Sequence, residues 1–229
     1  MSSPLRGISS MATRLLLADL VAAFTTTHGR EVAIESVGGV DAARRVQAGE
    51  DFDVVVLASD ATAKLLAAGH VVAGSRVDIV RSEVAVAVKA GAPRPDIGSE
   101  DAVRRAVLAA PTIGYSTGPS GTALLQLFQR WGIAEQVRER TVQARPGVPV
   151  GSMVASGEVA LGFQQFSELK DLAGIDVLGL LPPAIQVTTV FSGAVCTTSR
   201  QPEAAREVLA FMASPGTAAI KQRHGMEPA

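Results

Sequence analysis

An α/β fold of two lobes, each a mostly parallel sheet flanked by helices, is what the order of residues predicts for this 229-residue chain. Three observations predict it. Short β-rich runs alternate with helical runs, the order that builds a parallel sheet covered by helices. Asp53-Val-Val-Val-Leu57 is a continuous apolar run, the pattern of a strand buried on both faces. The strands number about nine, and the long β run from Thr188 to Thr197 reads as a chain crossing between lobes. A single doubly wound domain is the alternative, and it accommodates that many strands less readily.

Taken in order, Leu5 to Ile8 is a short strand, and Ser9-Ser10 punctuate it before a helix from Met11 to His28. In that helix Leu16, Leu20, Ala23 and Phe24 recur at amphipathic spacing. Asp19 interrupts the apolar run, so the segment reads as a helix rather than a secretory leader. Val32 to Val37 is a strand, Gly38-Gly39 a turn, and Asp41 to Ala48 a helix. Asp53 to Leu57 is followed by Ala58-Ser-Asp60 and a helix ending near Gly69. Val77 to Val80 and Val84 to Lys89 are β runs separated by Arg81-Ser82. Ser99 is a good N-cap for a helix over Glu100 to Leu108. Thr112 to Tyr115 is a strand, Ser116 to Gly121 a loop, and Thr122 to Trp131 a helix. Val137 to Ala144 ends in a strand, and Pro146 to Pro149 is a turn. Gly151 to Ser156 is a helix, Val159 to Phe163 a strand, and Phe166 to Leu172 a short helix. Val177 to Leu181 is a strand stopped by Pro182-Pro183. Two helices, Pro202 to Ala213 and Pro215 to Arg223, follow the long β run.

Composition narrows the function. The chain is 47% hydrophobic with a net charge of −1 and no long basic run, so nucleic acid is not an expected partner. No stretch has the length of a transmembrane span, so direct membrane insertion is not expected. One cysteine, Cys196, excludes an internal disulfide and a multi-cysteine zinc site. It sits among apolar residues and reads as core. His28, His70 and His224 are widely spaced, so neither a metal site nor a cofactor is expected. Absence of a leader here does not separate a cytoplasmic chain from a periplasmic one whose leader has been removed.

The recurring feature is a strand that ends in a small polar loop opening a helix. Ser9-Ser10, Gly38-Gly39 and Ser116-Thr-Gly-Pro-Ser-Gly121 all have this form. Free N–H groups at a helix start donate to an anion, and in open α/β sheets ligands lie at the carboxyl ends of strands. The same residues also serve as plain caps and turns. Ser116 to Gly121 lacks the lysine of a nucleotide phosphate loop, and no dinucleotide fingerprint or nucleophile elbow is present. Arg81 with Ser82, and Arg145, stand beside loops where a guanidinium can clamp a carboxylate. Ordinary surface placement fits them equally. Gln164-Gln165 follow a β run, where one amide should face inward. The candidate ligand-binding residues are thus Ser9, Ser10, Gly39, Arg81, Ser82, Ser116, Ser120, Gly121, Arg145, Gln164 and Gln165.

The element order, the Ser9-Ser10 helix start and the ending Pro202-Glu-Ala-Ala-Arg…Phe-Met-Ala-Ser-Pro-Gly216 resemble the type II periplasmic-binding-protein superfamily, in its molybdate-binding-protein-like branch. The resemblance covers nearly the whole chain. It implies two lobes, 1–80 plus 190–229 and 81–189, with a ligand cleft between them. It also implies an anion held by serine hydroxyls and helix-start amides, with Ser10 and Gly39 at matching positions. Gly38-Gly39 stand where a serine is common, and Gln164-Gln165 stand near the expected tyrosine; the single tyrosine, Tyr115, lies elsewhere. The stretches Tyr115 to Gly121, Pro146 to Gly151 and Gly162-Phe-Gln-Gln-Phe-Ser-Glu-Leu169 resemble a subgroup that includes aconitate isomerases.

Three functions are left open. The first is binding of a small anion, a di- or tricarboxylate, with an ABC transporter permease as partner. The second is isomerisation of an unsaturated polycarboxylate through an allylic proton shift. The third is binding of molybdate or another oxyanion for transport. For the isomerase, a base is needed, and Asp60 and Glu83 are the acidic residues nearest the loops; neither is compelling. A transcriptional effector domain would need a DNA-binding partner that the chain lacks.

Overall fold

The computed structural model describes residues 3–145 and 147–229, so Pro146, which opens the turn expected up to Pro149, lies outside the described residues. The chain divides into two units, Met1–Arg81 with Val190–Ala229, and Ser82–Thr189.

The first unit begins with β1 (Leu5–Ser10), α1 (Arg14–His28), β2 (Val32–Val37), α2 (Gly39–Gln47), β3 (Val54–Ala58) and α3 (Ser59–Ala67). β1 pairs in parallel with both β2 and β3. All five residues of β3 are buried, as its uninterrupted apolar run requires. Leu16, Leu17, Leu20 and Phe24 are the buried residues of α1, and they enter a core with Val54, Val56, Leu209 and Met212. Gly29 ends α1 in the left-handed region (φ 66°), which residues with a Cβ adopt only at a cost.

Ser9 and Ser10 are not the loop expected of them. They continue β1, because Ser9 pairs opposite Ser36 and Ser10 opposite Val37. A 3-10 turn over Met11–Thr13 then leads into α1. Likewise α2 starts at Gly39, and α3 starts at Ser59 directly after β3, so both loops are shorter than expected.

β4 (Val77–Lys89) carries the chain from the first unit into the second. The expected break at Arg81-Ser82 is absent. Arg81 points to solvent opposite Glu227, and small, buried Ser82 lets the strand continue.

The second unit continues with α4 (Glu100–Ala109), β5 (Ile113–Tyr115), α5 (Pro119–Arg130), α6 (Ala134–Val137), β6 (Thr141–Gln143), α7 (Val150–Ser156), β7 (Leu161–Gln165), α8 (Phe166–Leu169) and β8 (Ile175–Leu180). Ser99 caps α4, its hydroxyl accepting from the Ala102 N–H at 3.2 Å, with Glu100 and Asp101 favourably placed in the first turn. β5 pairs in parallel with β6 and β7, while β4 runs antiparallel to β7 and β8. Val86, Val103, Phe128, Ile113 and Phe163 share one core. β7 runs two residues beyond its expected end, so Gln164 and Gln165 lie inside the strand. Both are buried, not one of the two, because β7 is enclosed on both faces. α5 begins at Pro119, which suits a first helical turn because its missing N–H has no intrahelical partner there anyway.

β9 (Thr188–Val195) returns the chain to the first unit, where it runs antiparallel to β3. α9 (Pro202–Ala213), α10 (Ala218–Arg223) and a two-residue strand β10 (Glu227–Pro228) complete it. β10 was not legible in the sequence, because a two-residue strand has no periodicity.

Candidate functional site

Parallel pairing fixes where the polar residues gather. In the first unit β1, β2 and β3 end at one edge of their sheet, and Ser10, Gly38-Gly39 and Ser59 follow from those ends. Ser9 Oγ lies 2.8 Å from Ser36 Oγ, so its hydrogen bonding is used within the sheet. Ser10 differs: its hydroxyl is buried and has no partner. A buried hydroxyl without a partner is costly unless something else satisfies it. A Cβ built on Gly39 would meet the Ser10 Cβ at 3.6 Å, so a side chain at position 39 would begin in contact with Ser10. Gly38 caps α2 without a side-chain bond, leaving the helix-start N–H groups uncovered by any side chain. Arg81 is exposed on β4 beside β10 and stands apart from this edge in the pairing pattern.

In the second unit the carboxyl ends of β5, β6 and β7 coincide, with Tyr115 opposite both Gln143 and Phe163. The Ala144 N–H donates to the Tyr115 carbonyl at 2.9 Å, bringing Ala144 beside the start of the Ser116 to Gly121 segment. Ser116 Oγ and Ser120 Oγ are 3.0 Å apart. Gly121 is required: a Cβ there would collide with the Ser116 carbonyl oxygen. Arg145 is exposed; its carbonyl accepts from the Val148 N–H at 3.0 Å, while its guanidinium has no hydrogen-bond or ion-pair partner among the described residues.

The two glutamines have separate partners. Gln164 Oε1 accepts from the Gly151 N–H at 3.1 Å, which ties β7 to the start of α7. Gln165 donates through Nε2 to Thr189 Oγ1 at 2.8 Å, while its Oε1 is buried without a partner. β4 is antiparallel to β7 with Val84 opposite Gln165, so Ser82 and Glu83 extend past the carboxyl end of β7. The Ser82 hydroxyl is buried and also unpartnered. Two orphaned polar groups thus lie at the edge where Ser116 and Arg145 stand.

Glu168 was missed by sequence reasoning. It is half-buried on α8 and takes a hydrogen bond from Gln164. Burial pushes its carboxyl up to about 7, and the Gln164 bond opposes that rise only in part. The sequence carries no spacing signal for it, because Gln164 lies on β7 and Glu168 on α8, and their four-residue separation is not one helix face. Of the two acids weighed instead, Asp60 is exposed in the first turn of α3 and Glu83 is half-buried on β4. Cys196 is buried, and its thiol is pushed up to about 12 by burial and by Asp53, so it is a poor nucleophile. No group of three His, Cys, Asp or Glu among the described residues could hold a metal ion. None of the described helices is long and apolar enough to cross a membrane.

This α/β architecture, with helix starts at the carboxyl ends of parallel strands, is that of the type II periplasmic-binding proteins. The chain belongs to the bacterial extracellular solute-binding protein family, whose profile matches residues 5–227. It is 41% identical over 185 residues to an aconitate isomerase from Pseudomonas sp., a match spanning 80% of this chain and 70% of that relative. Among solved structures it is similar to the periplasmic molybdate-binding protein of Azotobacter vinelandii, with a TM-score of 0.80 at 22% identity over 97% of this chain and 98% of that one. A tungstate ABC transporter protein from Geobacter sulfurreducens matches with a TM-score of 0.76 at 18% identity, over 96% and 98%. At such identities these structures speak for the fold alone.

Proposed function

We propose that this protein binds a small unsaturated tricarboxylate of the aconitate type and interconverts its double-bond isomers. The observation that carries the carboxylate is Arg145, an unpaired guanidinium on the loop beside the Ser116 to Gly121 helix start. A planar carboxylate suits a guanidinium fork better than it suits neutral donors alone. Ser10, Ser82 and Gln165 supply buried polar atoms that lack partners. In this reading the two units are the two lobes. The likeness to an aconitate isomerase favours conversion over delivery, since that relative far exceeds the structural neighbours in identity. Delivery of an anion to an ABC transporter permease is the second reading, favoured by the family and by neighbours described as transport proteins. The family description also favours a periplasmic location.

A thermal-shift panel of oxyanions and di- and tricarboxylates tests the ligand class. A ligand at one hundred times its Kd contributes about 2.7 kcal/mol of stabilisation. Stabilisation by cis- or trans-aconitate and none by molybdate is the expected result. The reverse pattern would restore the oxyanion reading.

A further inference from the structure

An allylic isomerisation needs a group that removes a proton from one carbon and returns it two carbons away. Neither Asp60 nor Glu83 has a feature that fits it for this: Asp60 is exposed in the first turn of α3, and the Glu83 side chain has no hydrogen-bond or ion-pair partner among the described residues. Glu168 has such features. It stands on α8, directly after the carboxyl end of β7, at the edge that also holds Ser82, Ser116, Arg145 and the orphaned Gln165 Oε1. Gln164 holds its carboxyl from one side and is itself fixed by the Gly151 N–H at 3.1 Å. A Cβ at Gly151 would press on Leu172 and Leu169, so α7 packs directly against the segment carrying Glu168.

We propose that Glu168 is the proton carrier of this site, its carboxylate taking a proton from the methylene carbon of bound aconitate and returning it to the former vinylic carbon. The assignment rests on the isomerase reading above. The step balances. The methylene C–H bond breaks, and its electron pair delocalises through the double bond into the attached carboxylates. A new double bond forms between the former methylene carbon and the central carbon. The old one becomes single as a C–H bond forms at the former vinylic carbon. Glu168 ends ionised, as it began, and no oxidant or second reactant is consumed.

The surroundings suit the task. Burial and the Gln164 bond are the influences on Glu168, and no charged group is among them. The neighbouring Lys170 is engaged by Asp171 at 2.6 Å. With the carboxyl raised to about 7, both of its forms are populated near neutral pH, so it can accept a proton and give it back. Arg145 and the neutral donors would hold the substrate carboxylates while negative charge spreads into them. Gln164 is then a positioning residue.

The test is proton NMR of cis-aconitate in D₂O with wild type, Glu168→Gln and Glu168→Asp, alongside calorimetry of binding. Wild type is expected to exchange methylene hydrogen for deuterium and to form the trans isomer. Glu168→Gln should bind with nearly unchanged affinity while exchange and conversion fall by about 10²–10⁴-fold. Glu168→Asp should recover part of the rate. The wild-type kcat/KM should fall as pH drops below about 7, because the base must be ionised. A Glu168→Gln protein that converts aconitate at the wild-type rate, or a flat wild-type pH profile, overturns Glu168 and leaves the isomerase reading standing. Wild type that binds aconitate with neither exchange nor conversion overturns that reading, and Glu168 with it.

Discussion

Ser9 and Ser10 are neighbours at the end of β1, and their hydroxyls are in opposite states: one is bonded to Ser36, the other buried without a partner. Ser9→Ala should therefore cost about 1 kcal/mol of stability in a denaturant titration, with little effect on ligand. Ser10→Ala should leave apo stability unchanged or slightly raised, because it removes an unsatisfied group. The same change should weaken the proposed ligand about tenfold, the worth of one hydrogen bond to a charged group. Equal effects from both serines would place Ser10 outside the site. Lys221 is a further orphan, with a fully buried side chain and an ammonium without a partner, and burial pulls its pKa down. Lys221→Met should raise stability at pH 7 by on the order of 1–3 kcal/mol. The unfolded state holds its proton to higher pH than the folded one, so wild type should gain on the variant as pH rises toward the unfolded value. Melting curves at neutral and alkaline pH check both statements.

The elements that carry the site were partly legible. The strongly apolar β3 and the amphipathic α1 are clear from pattern, since burial sets their periodicity. Strand ends were not. Ser9-Ser10 and Gln164-Gln165 look like punctuation in sequence, yet ladder pairing with neighbouring strands draws them into β1 and β7. Pairing is a long-range property and leaves no local mark. Glu168 was illegible for a related reason: its perturbation comes from burial on α8, which no spacing rule announces. Gly121 is the element-scale counterpart of a site residue, since the turn into α5 has no room for a Cβ against the Ser116 carbonyl. Gly121→Ala should force that turn apart, at a cost of about 1–3 kcal/mol in a chemical unfolding curve, and should weaken ligand binding more than a change elsewhere on α5. A Gly121→Ala protein with wild-type stability would show that the loop relaxes freely.

At the scale of the molecule, the family is secure over residues 5–227, and fold alone does not choose between carrying an anion and converting it. The α/β class and the superfamily were readable from element order and from the C-terminal pattern. The proposed ligand class rests on particular side chains, above all Arg145. Because that residue is exposed and unpaired, Arg145→Ala should not alter apo stability. It should cost about tenfold to a hundredfold in affinity for a tricarboxylate, with Arg145→Lys recovering only part, since lysine lacks the bidentate fork. Calorimetry of the three proteins checks this.

The most direct test of the whole account is a proton NMR time course of cis-aconitate incubated with the wild-type protein. The vinylic signal of the cis isomer is expected to decay while that of the trans isomer grows, until the two reach a constant ratio from either starting isomer. A cis-aconitate spectrum unchanged while the protein holds the compound in its site would contradict it and leave a binding protein.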